Sequence, residues 1–213
     1  MAQLLGETTD ANNYSRQMNK VKEGYNRCWN GYAYRHPEYN DCTDDRVQAL
    51  AVVSGIAEQD KYPYIIDLFK KQFYASPYME KYVMEALFVM GEGKYAMERM
   101  QKRFAPMVNH PFYTTLFEGW DIGPNGFGGG TVNHAWSGGP LIVIARYVCG
   151  IEPLDAAYKT FRIAPDDTYL HQAAITIPTI AGEIRSSFES SDKDFKMEIT
   201  VPKNTQAILQ LPN

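Results

Sequence analysis

Cysteine is scarce in this chain, and Cys28, Cys42 and Cys149 are odd in number with no CxxC or Cys/His ligand spacing. A disulfide framework and a zinc site are therefore not expected. His36, His110 and His171 are scattered, so no metal is expected from them either. The run GFGGG (126–130) follows no strand pattern and precedes no Lys-Ser/Thr pair, so it is not a phosphate loop and no cofactor is expected. Basic residues are outnumbered, 21 Lys and Arg against 25 Asp and Glu, and form no run that could hold a phosphate backbone. Nucleic acid is excluded as a partner on that ground. No apolar run approaches the ~20 residues that cross a bilayer, so no membrane partner is expected. The start MAQLLGETTD lacks the basic head and apolar centre of a signal peptide, which as written implies a cytoplasmic protein. If Met1 is a cut inside a longer protein, an upstream signal would make that protein periplasmic or secreted.

What the chain does have is 213 residues, 45% of them hydrophobic, enough for one large and one small domain. It also has 15 Tyr and three Trp, a supply that suits either stacking on sugars or a tyrosine-rich core.

Periodicity predicts helices over most of the chain. From Asp10, with Thr9 or Asp10 as N-cap, Tyr14, Met18, Val21, Tyr25 and Cys28 form one packing face. Cys28 and Cys149 read as small thiols on apolar helical faces. Trp29 to Cys42 carries Gly, Pro and Asn breakers and reads as a long loop with a short hairpin. A second helix is capped by Thr43, with Asp44 and Asp45 at its positive end and a stripe of Val47, Leu50, Ala51 and Ser54 before Gly55. A third uses Tyr64, Ile65, Leu68, Phe69 and Gln72, with Pro63 in its first turn. In the fourth, Ser76 is the cap, Pro77 the first position, and Tyr82, Val83, Ala86, Leu87 and Met90 the packing face before Gly91. The fifth spans Lys94 to Met107 on Tyr95, Met97, Met100, Gln101 and Phe104, with Pro106 marking its end. The sixth, from about Asn133 to Cys149, is apolar on nearly all sides apart from Arg146 and is expected to be buried.

After Gly150 the period drops from 3.6 to 2. YKTFRIAP, HQAAITIPT, GEIRSSFES, FKMEITVP and QAILQLP alternate apolar and polar residues between turn residues, predicting a small antiparallel β domain. The boundary falls near 151–156. No internal sequence repeat is visible, but successive helices joined by short loops suggest an α/α hairpin array or toroid.

The residues able to do chemistry gather between Pro111 and Pro140. Glu118 lies between Phe117 and Trp120, where aromatic walls strip water from a carboxylate and suit it for proton transfer, although a Glu at a helix end is the plainer account. Asp121 is a possible second carboxylate or the cap of the turn IGPNG, the latter preferred. Asp44, Asp45 and Glu80 are other possible partners, unmarked by spacing. Asn133 reads as an N-cap by type. His134 is a structural group or a ligand-binding one, and Trp136 offers a flat apolar face with one N–H donor that suits a sugar ring. GFGGG reads as a flexible loop that lets a ligand approach. The glycines of SGGP (137–140) would weaken a helix unless close packing requires them.

TTLFEGW followed by TVNHAWSGGPLIVIARYVCGIEPLDAAYKTFRIAP resembles the C-terminal part of the bacterial α-L-rhamnosidases, inverting glycoside hydrolases with an (α/α)6 barrel. LLGETTDANNYSRQMNKVKEGYN, DDRVQALAVVSGI and ASPYMEKYVMEALFVMG are similar to earlier barrel segments of that family, so the resemblance spans nearly the whole chain. It implies a mainly α fold with a C-terminal β domain: a partial (α/α)6 barrel over 1–152, then an antiparallel β-sandwich over 153–213. It implies Glu118 as general base and Trp120, Asn133, His134 and Trp136 in or behind a rhamnose pocket, with Asp121 nearby. The general acid would come from a segment N-terminal to this chain. Phe117 stands where the family usually has Trp, and only about half of the barrel helices are present. The implied reaction is hydrolysis of a terminal α-L-rhamnosyl bond with inversion, weak or absent in the isolated chain. Its implied partners are a rhamnosylated carbohydrate and either an upstream barrel half or further copies of the chain. The rival readings are a non-catalytic carbohydrate-binding or assembly subunit, and a barrel glycosidase for another sugar.

Overall fold

The computed structural model describes residues 1–121 and 130–212. A helical part comes first: α1 (Thr8–Asn26), α2 (Asp45–Val53), α3 (Tyr62–Lys71), α4 (Pro77–Val89), α5 (Gly93–Val108) and the short α6 (Gly139–Val143). Two small sheets follow, built from β1 (Ile151–Pro153), β2 (Thr160–Ile163), β3 (Gln172–Thr179), β4 (Gly182–Ser190), β5 (Phe195–Thr200) and β6 (Gln206–Leu209).

Local chemistry accounts for most of the helix ends. Ser76 Oγ accepts the Met79 N–H at 3.3 Å, and Pro77 starts α4 where a missing N–H costs nothing. Gly91, at φ +81°, ends it in the left-handed conformation that favours glycine. The cap of α2 is Asp44 rather than Thr43: its Oδ1 accepts the Arg46 N–H at 2.8 Å. The expected loop with a short hairpin is present as a single bridge between Trp29 and Tyr34.

Helix α4 is the centre of the helical part, packed against α2, α5 and α6. One core joins Ala49 and Val52 of α2 to Ile65, Leu68 and Phe69 of α3 and Val83 and Leu87 of α4. A second joins Met84 of α4 to Met100, Phe104 and Met107 of α5, Phe117 and Val143. Between the helix ends lies a buried ion network. Arg99 Nε meets Glu80 Oε1 at 2.5 Å, Nη2 meets Asp45 Oδ2 at 2.9 Å, and Nη1 donates to the Phe69 carbonyl at 2.5 Å. Arg103 Nη1 reaches Glu80 Oε2 at 2.8 Å. Asp45 and Glu80, weighed above as catalytic carboxylates, are fully buried and taken up by these cations.

Several helical expectations are corrected. The α1 stripe does not pack: Tyr14, Met18 and Val21 are all more than 60% exposed, and the helix meets the core only near its end, where Tyr25 lies 5.2 Å from the Tyr34 ring. Cys28 falls beyond that helix and is half-buried, whereas Cys149 is buried as expected. The buried face of α2 is Asp45, Gln48, Ala49, Ala51 and Val52, with Leu50 and Ser54 exposed. Gln48 is drawn inward because it pairs with both the N–H and the carbonyl of Tyr34, each at 2.8 Å. Pro106 lies inside α5, whose last residues carry on past it to Val108. The sixth helix is not one buried rod. It is a 3-10 turn (Ala135–Gly138), then α6, then a π turn (Ile144–Val148), with Leu141 71% and Ile142 52% exposed.

The strands follow the predicted alternation, plus β1. β1–β2–β6 form one sheet and β3–β4–β5 the other. All pairs are antiparallel except β2 with β6, which run parallel, Phe161 opposite Ala207. A period-2 pattern sets which face is buried but not the direction of the neighbouring strand. Ile151, Phe161, Ile163 and Ile184 form the core of this part. It is joined to the helices by Glu152, which accepts from Arg146 and Arg162 at 2.5 Å each, and by Tyr169, whose ring meets Phe88 edge-on at 5.4 Å.

Two outcomes are expected. Arg99→Leu leaves the buried Asp45 without a cation and Glu80 with Arg103 alone, so it should cost about 3–5 kcal/mol of stability, read from urea denaturation. Burial of Tyr34, followed by the charges of Glu58 and Asp60, pushes its phenol from 10.0 up to about 12. The folded state therefore holds this proton more tightly than the unfolded chain. The resulting stability is complete below pH 10 and is lost as pH rises toward 12. Tyrosinate absorbance should show one step near pH 12 that is missing in Tyr34→Phe.

Candidate functional site

The site lies where the segment after α5 meets the segment before α6. The two run side by side: the Glu118 N–H donates to the Thr131 carbonyl at 2.9 Å, and the His134 N–H to the Leu116 carbonyl at 2.9 Å. Thr115 Oγ1 closes the far end on the Val132 carbonyl. Phe117 is buried in the α4–α5–α6 core, and its carbonyl accepts from the buried Ser137 hydroxyl at 2.6 Å. These bonds hold the backbone on both sides of Glu118.

The Glu118 carboxylate is half-buried. Its Oε2 accepts the Thr131 N–H at 3.1 Å and the Thr131 hydroxyl at 3.3 Å. Among the described residues Oε1 has no hydrogen-bond partner, which leaves one oxygen to meet a ligand or a water. Beside it three rings are layered. His134 stacks on Trp136 at 4.3 Å and 25°, and Trp136 stacks on Tyr78 at 5.3 Å and 28°. The Trp136 indole N–H donates to the Glu118 carbonyl at 3.2 Å, tying the ring stack to the carboxylate's own backbone.

The expected site residues do not all behave alike. His134 is the N-cap of the 3-10 turn, a place expected for Asn133: its Nδ1 accepts the Trp136 N–H at 3.4 Å. Asn133 is exposed and lies next to this cap. Trp136 is 37% exposed, so it presents area to solvent, but part of its ring is shared with His134 and Tyr78. Trp120 points the other way, into the helices. Its N–H donates to the Ala75 carbonyl at 2.7 Å, the Arg103 guanidinium lies 4.1 Å from its ring and Phe104 meets it edge-on at 5.0 Å. It is therefore behind the site rather than on its surface. Asp121 is exposed. The turn IGPNG that it was expected to cap, and all of GFGGG but Gly130, lie outside the described residues.

Close packing explains part of SGGP. A side chain at Gly139 would put its Cβ 2.7 Å from Lys81 Cβ, so a glycine is needed for α6 to lie against α4. Three participants were not expected: Tyr78, Thr131 and Arg103. Tyr78 could have been noticed as a large aromatic in the first turn of a strongly capped helix, at the end where ligands meet helix N-termini. Nothing local marks Thr131 or Arg103, whose partners lie 13 and 17 residues away. Among the described residues no group of His, Cys, Asp and Glu is arranged to hold a metal.

Comparison with known proteins bears on the fold that carries this site. Residues 150–213 match the family model described as the bacterial alpha-L-rhamnosidase C-terminal domain. An alpha-L-rhamnosidase of Formosa agariphila is 33% identical over 105 residues, covering 46% of this chain and 11% of that protein. Among solved structures, a rhamnosidase of family GH78 from Bacillus sp. GL1 superposes with TM-score 0.83 at 22% identity, over 99% of this chain and 24% of that one. The alpha-L-rhamnosidase of Streptomyces avermitilis, solved with L-rhamnose, gives TM-score 0.78 at 20% identity, over 98% of this chain and 21% of that one. The chain thus spans a quarter or less of the length of these relatives. The fold is that of the corresponding region of these rhamnosidases, and residues 150–213 are similar to their C-terminal domain.

The opposite orientations of the tryptophans have a spectroscopic consequence. Trp136→Phe should remove the tryptophan emission most readily quenched by acrylamide, and Trp120→Phe should remove a more protected share.

Proposed function

We propose that this chain is the C-terminal part of an inverting α-L-rhamnosidase, in which Glu118 is the general base. The observation that carries this reading is the Glu118 carboxylate, with one oxygen held by Thr131 and the other unpartnered among the described residues, on a residue whose backbone carbonyl is bonded by Trp136, the middle ring of the partly exposed His134–Trp136–Tyr78 stack. The rings present apolar area suited to the face of a deoxy sugar, and we assign the exposed Asn133 and Asp121 to its hydroxyls. Trp120 supports the pocket from behind.

In the proposed reaction Glu118 Oε1 accepts a proton from a water as that water attacks the anomeric carbon on the face opposite the leaving oxygen. The glycosidic bond breaks, the configuration inverts, and a general acid protonates the departing oxygen. Such an acid stands roughly 6.5–9.5 Å from the base to leave room for the water. The described carboxylates nearest in role, Asp45 and Glu80, are buried on arginines. As the resemblance to the rhamnosidases implies, we assign the acid to a segment outside this chain. The exposed apolar residues Tyr14, Met18, Val21, Leu141 and Ile142 are consistent with an adjoining barrel half covering them. The chain alone is then a weak hydrolase or none.

The test is Glu118→Gln in the intact gene product, assayed on an aryl α-L-rhamnoside. Hydrolysis should fall by about 10²–10⁴-fold, the usual worth of a general base, while L-rhamnose binding by calorimetry persists. Unchanged hydrolysis would overturn the assignment of the base. Sugar binding without hydrolysis in the wild-type product would favour a carbohydrate-binding subunit, and release of a different sugar would favour another glycosidase.

A further inference from the structure

We propose that Arg103 is a positioning residue for Glu118, acting through Trp120; the inference rests on Glu118 being the base. Trp120 is two residues beyond Glu118, and its indole is gripped from three directions. The Arg103 guanidinium lies 4.1 Å from the ring, the edge of the ring meets Phe104 at 5.0 Å, and the N–H is bonded to the Ala75 carbonyl at 2.7 Å. The same carbonyl accepts Arg103 Nη2 at 3.0 Å, so the indole and the guanidinium are locked to each other by a shared acceptor as well as by contact. Arg103 Nη2 also reaches the Phe73 carbonyl at 3.2 Å, and the Phe73 ring lies 5.6 Å from the guanidinium carbon.

The guanidinium itself cannot swing. Its Nη1 is on Glu80 Oε2 at 2.8 Å, and Glu80 is fully buried and held at its other oxygen by Arg99. A rigid path therefore runs from the ends of α2, α3 and α4, through Arg99 and Arg103 of α5, to Trp120. On the other side of Glu118 the backbone is fixed by Phe117 and Ser137. With both flanks fixed, Thr131 can hold Oε2 while Oε1 keeps a fixed position. Freeing the Trp120 flank allows the carboxylate to drift, and a displacement near 1 Å costs about 10²-fold in rate.

A purely structural role for Arg103 is separable from this one. Arg103→Lys keeps a cation for Glu80 but loses the planar stack and the fork that reaches two carbonyls. Trp120→Phe leaves the Arg99–Glu80–Arg103 network intact but removes the N–H to Ala75 and part of the ring that Arg103 covers. Two measurements decide the matter. In the 213-residue chain, nitrogen–proton spectra should show both variants moving the backbone amides of Glu118 and Thr131 while the Trp29 indole signal stays put. In the intact gene product both variants should lower kcat on an aryl α-L-rhamnoside by about 10–100-fold, with KM within about twofold. Amides of Glu118 and Thr131 that stay unmoved in both variants would overturn the proposal. So would kcat within twofold of wild type in a product whose Glu118→Gln variant is inactive. Should Glu118→Gln remain active, the base assignment fails on its own, and the amide shifts still report whether Arg103 positions this segment.

Discussion

The fold of the helical part depends on where the charges of Arg99 go. Burying an ion costs several kcal/mol even after relaxation, and the cost is met only when every donor finds an acceptor. Arg99 meets this requirement by joining three segments: Asp45 in the first turn of α2, Glu80 in the first turn of α4, and the Phe69 and Gln72 carbonyls at the end of α3. The arrangement suits the helix dipoles as well, since carboxylates sit at N-termini and a cation sits at a C-terminus. One side chain thus specifies that the ends of α2, α3 and α4 converge beside α5. The converging ends are where the candidate site is built.

From that junction outward, each part of the site is placed by a neighbour rather than by its own helix. The loop between α3 and α4 exposes the Ala75 carbonyl, which receives both Arg103 and Trp120. The N-terminus of α4 supplies Tyr78 to the ring stack, and the same helix accepts Gly139 so closely that no side chain fits there. The segment carrying Glu118 is then pinned by Phe117 inside the core and by the paired strand-like stretch at Thr131. A half-buried carboxylate on an irregular segment gains from these contacts a fixed geometry, which the proposed proton transfer needs.

Features governed by nearest neighbours were legible in the amino acids. The Ser76–Pro77 start of α4, the Gly91 stop, the Ile65–Leu68–Phe69 face of α3 and the alternating strands all follow from spacing within one turn or one pleat. Features that needed a distant partner were not. Tyr14, Met18 and Val21 have the right spacing for burial, yet α1 finds no described surface to bury them against. Leu141 and Ile142 look like core residues by composition and stand exposed, because α6 is a single short turn with α4 on one side only. Nothing in the residues beside Trp120 and Trp136 says which faces inward, and Ala75 and Arg103, distant in the chain, hold Trp120 there. The parallel pairing of β2 with β6 belongs to the same class.

Sequence alone determined the helical character of the first part, the switch to strands after Gly150, and the gathering of Glu118, His134 and Trp136 around one segment. It could do so because capping, periodicity and composition act over a few residues. Only the tertiary structure decided which carboxylates are taken up by arginines, which tryptophan supports and which is exposed, and which glycine is required for packing. Each of those outcomes is set by a partner far away in the chain, and the energy that selects it, burial of charge or close contact, exists only once the helices have met.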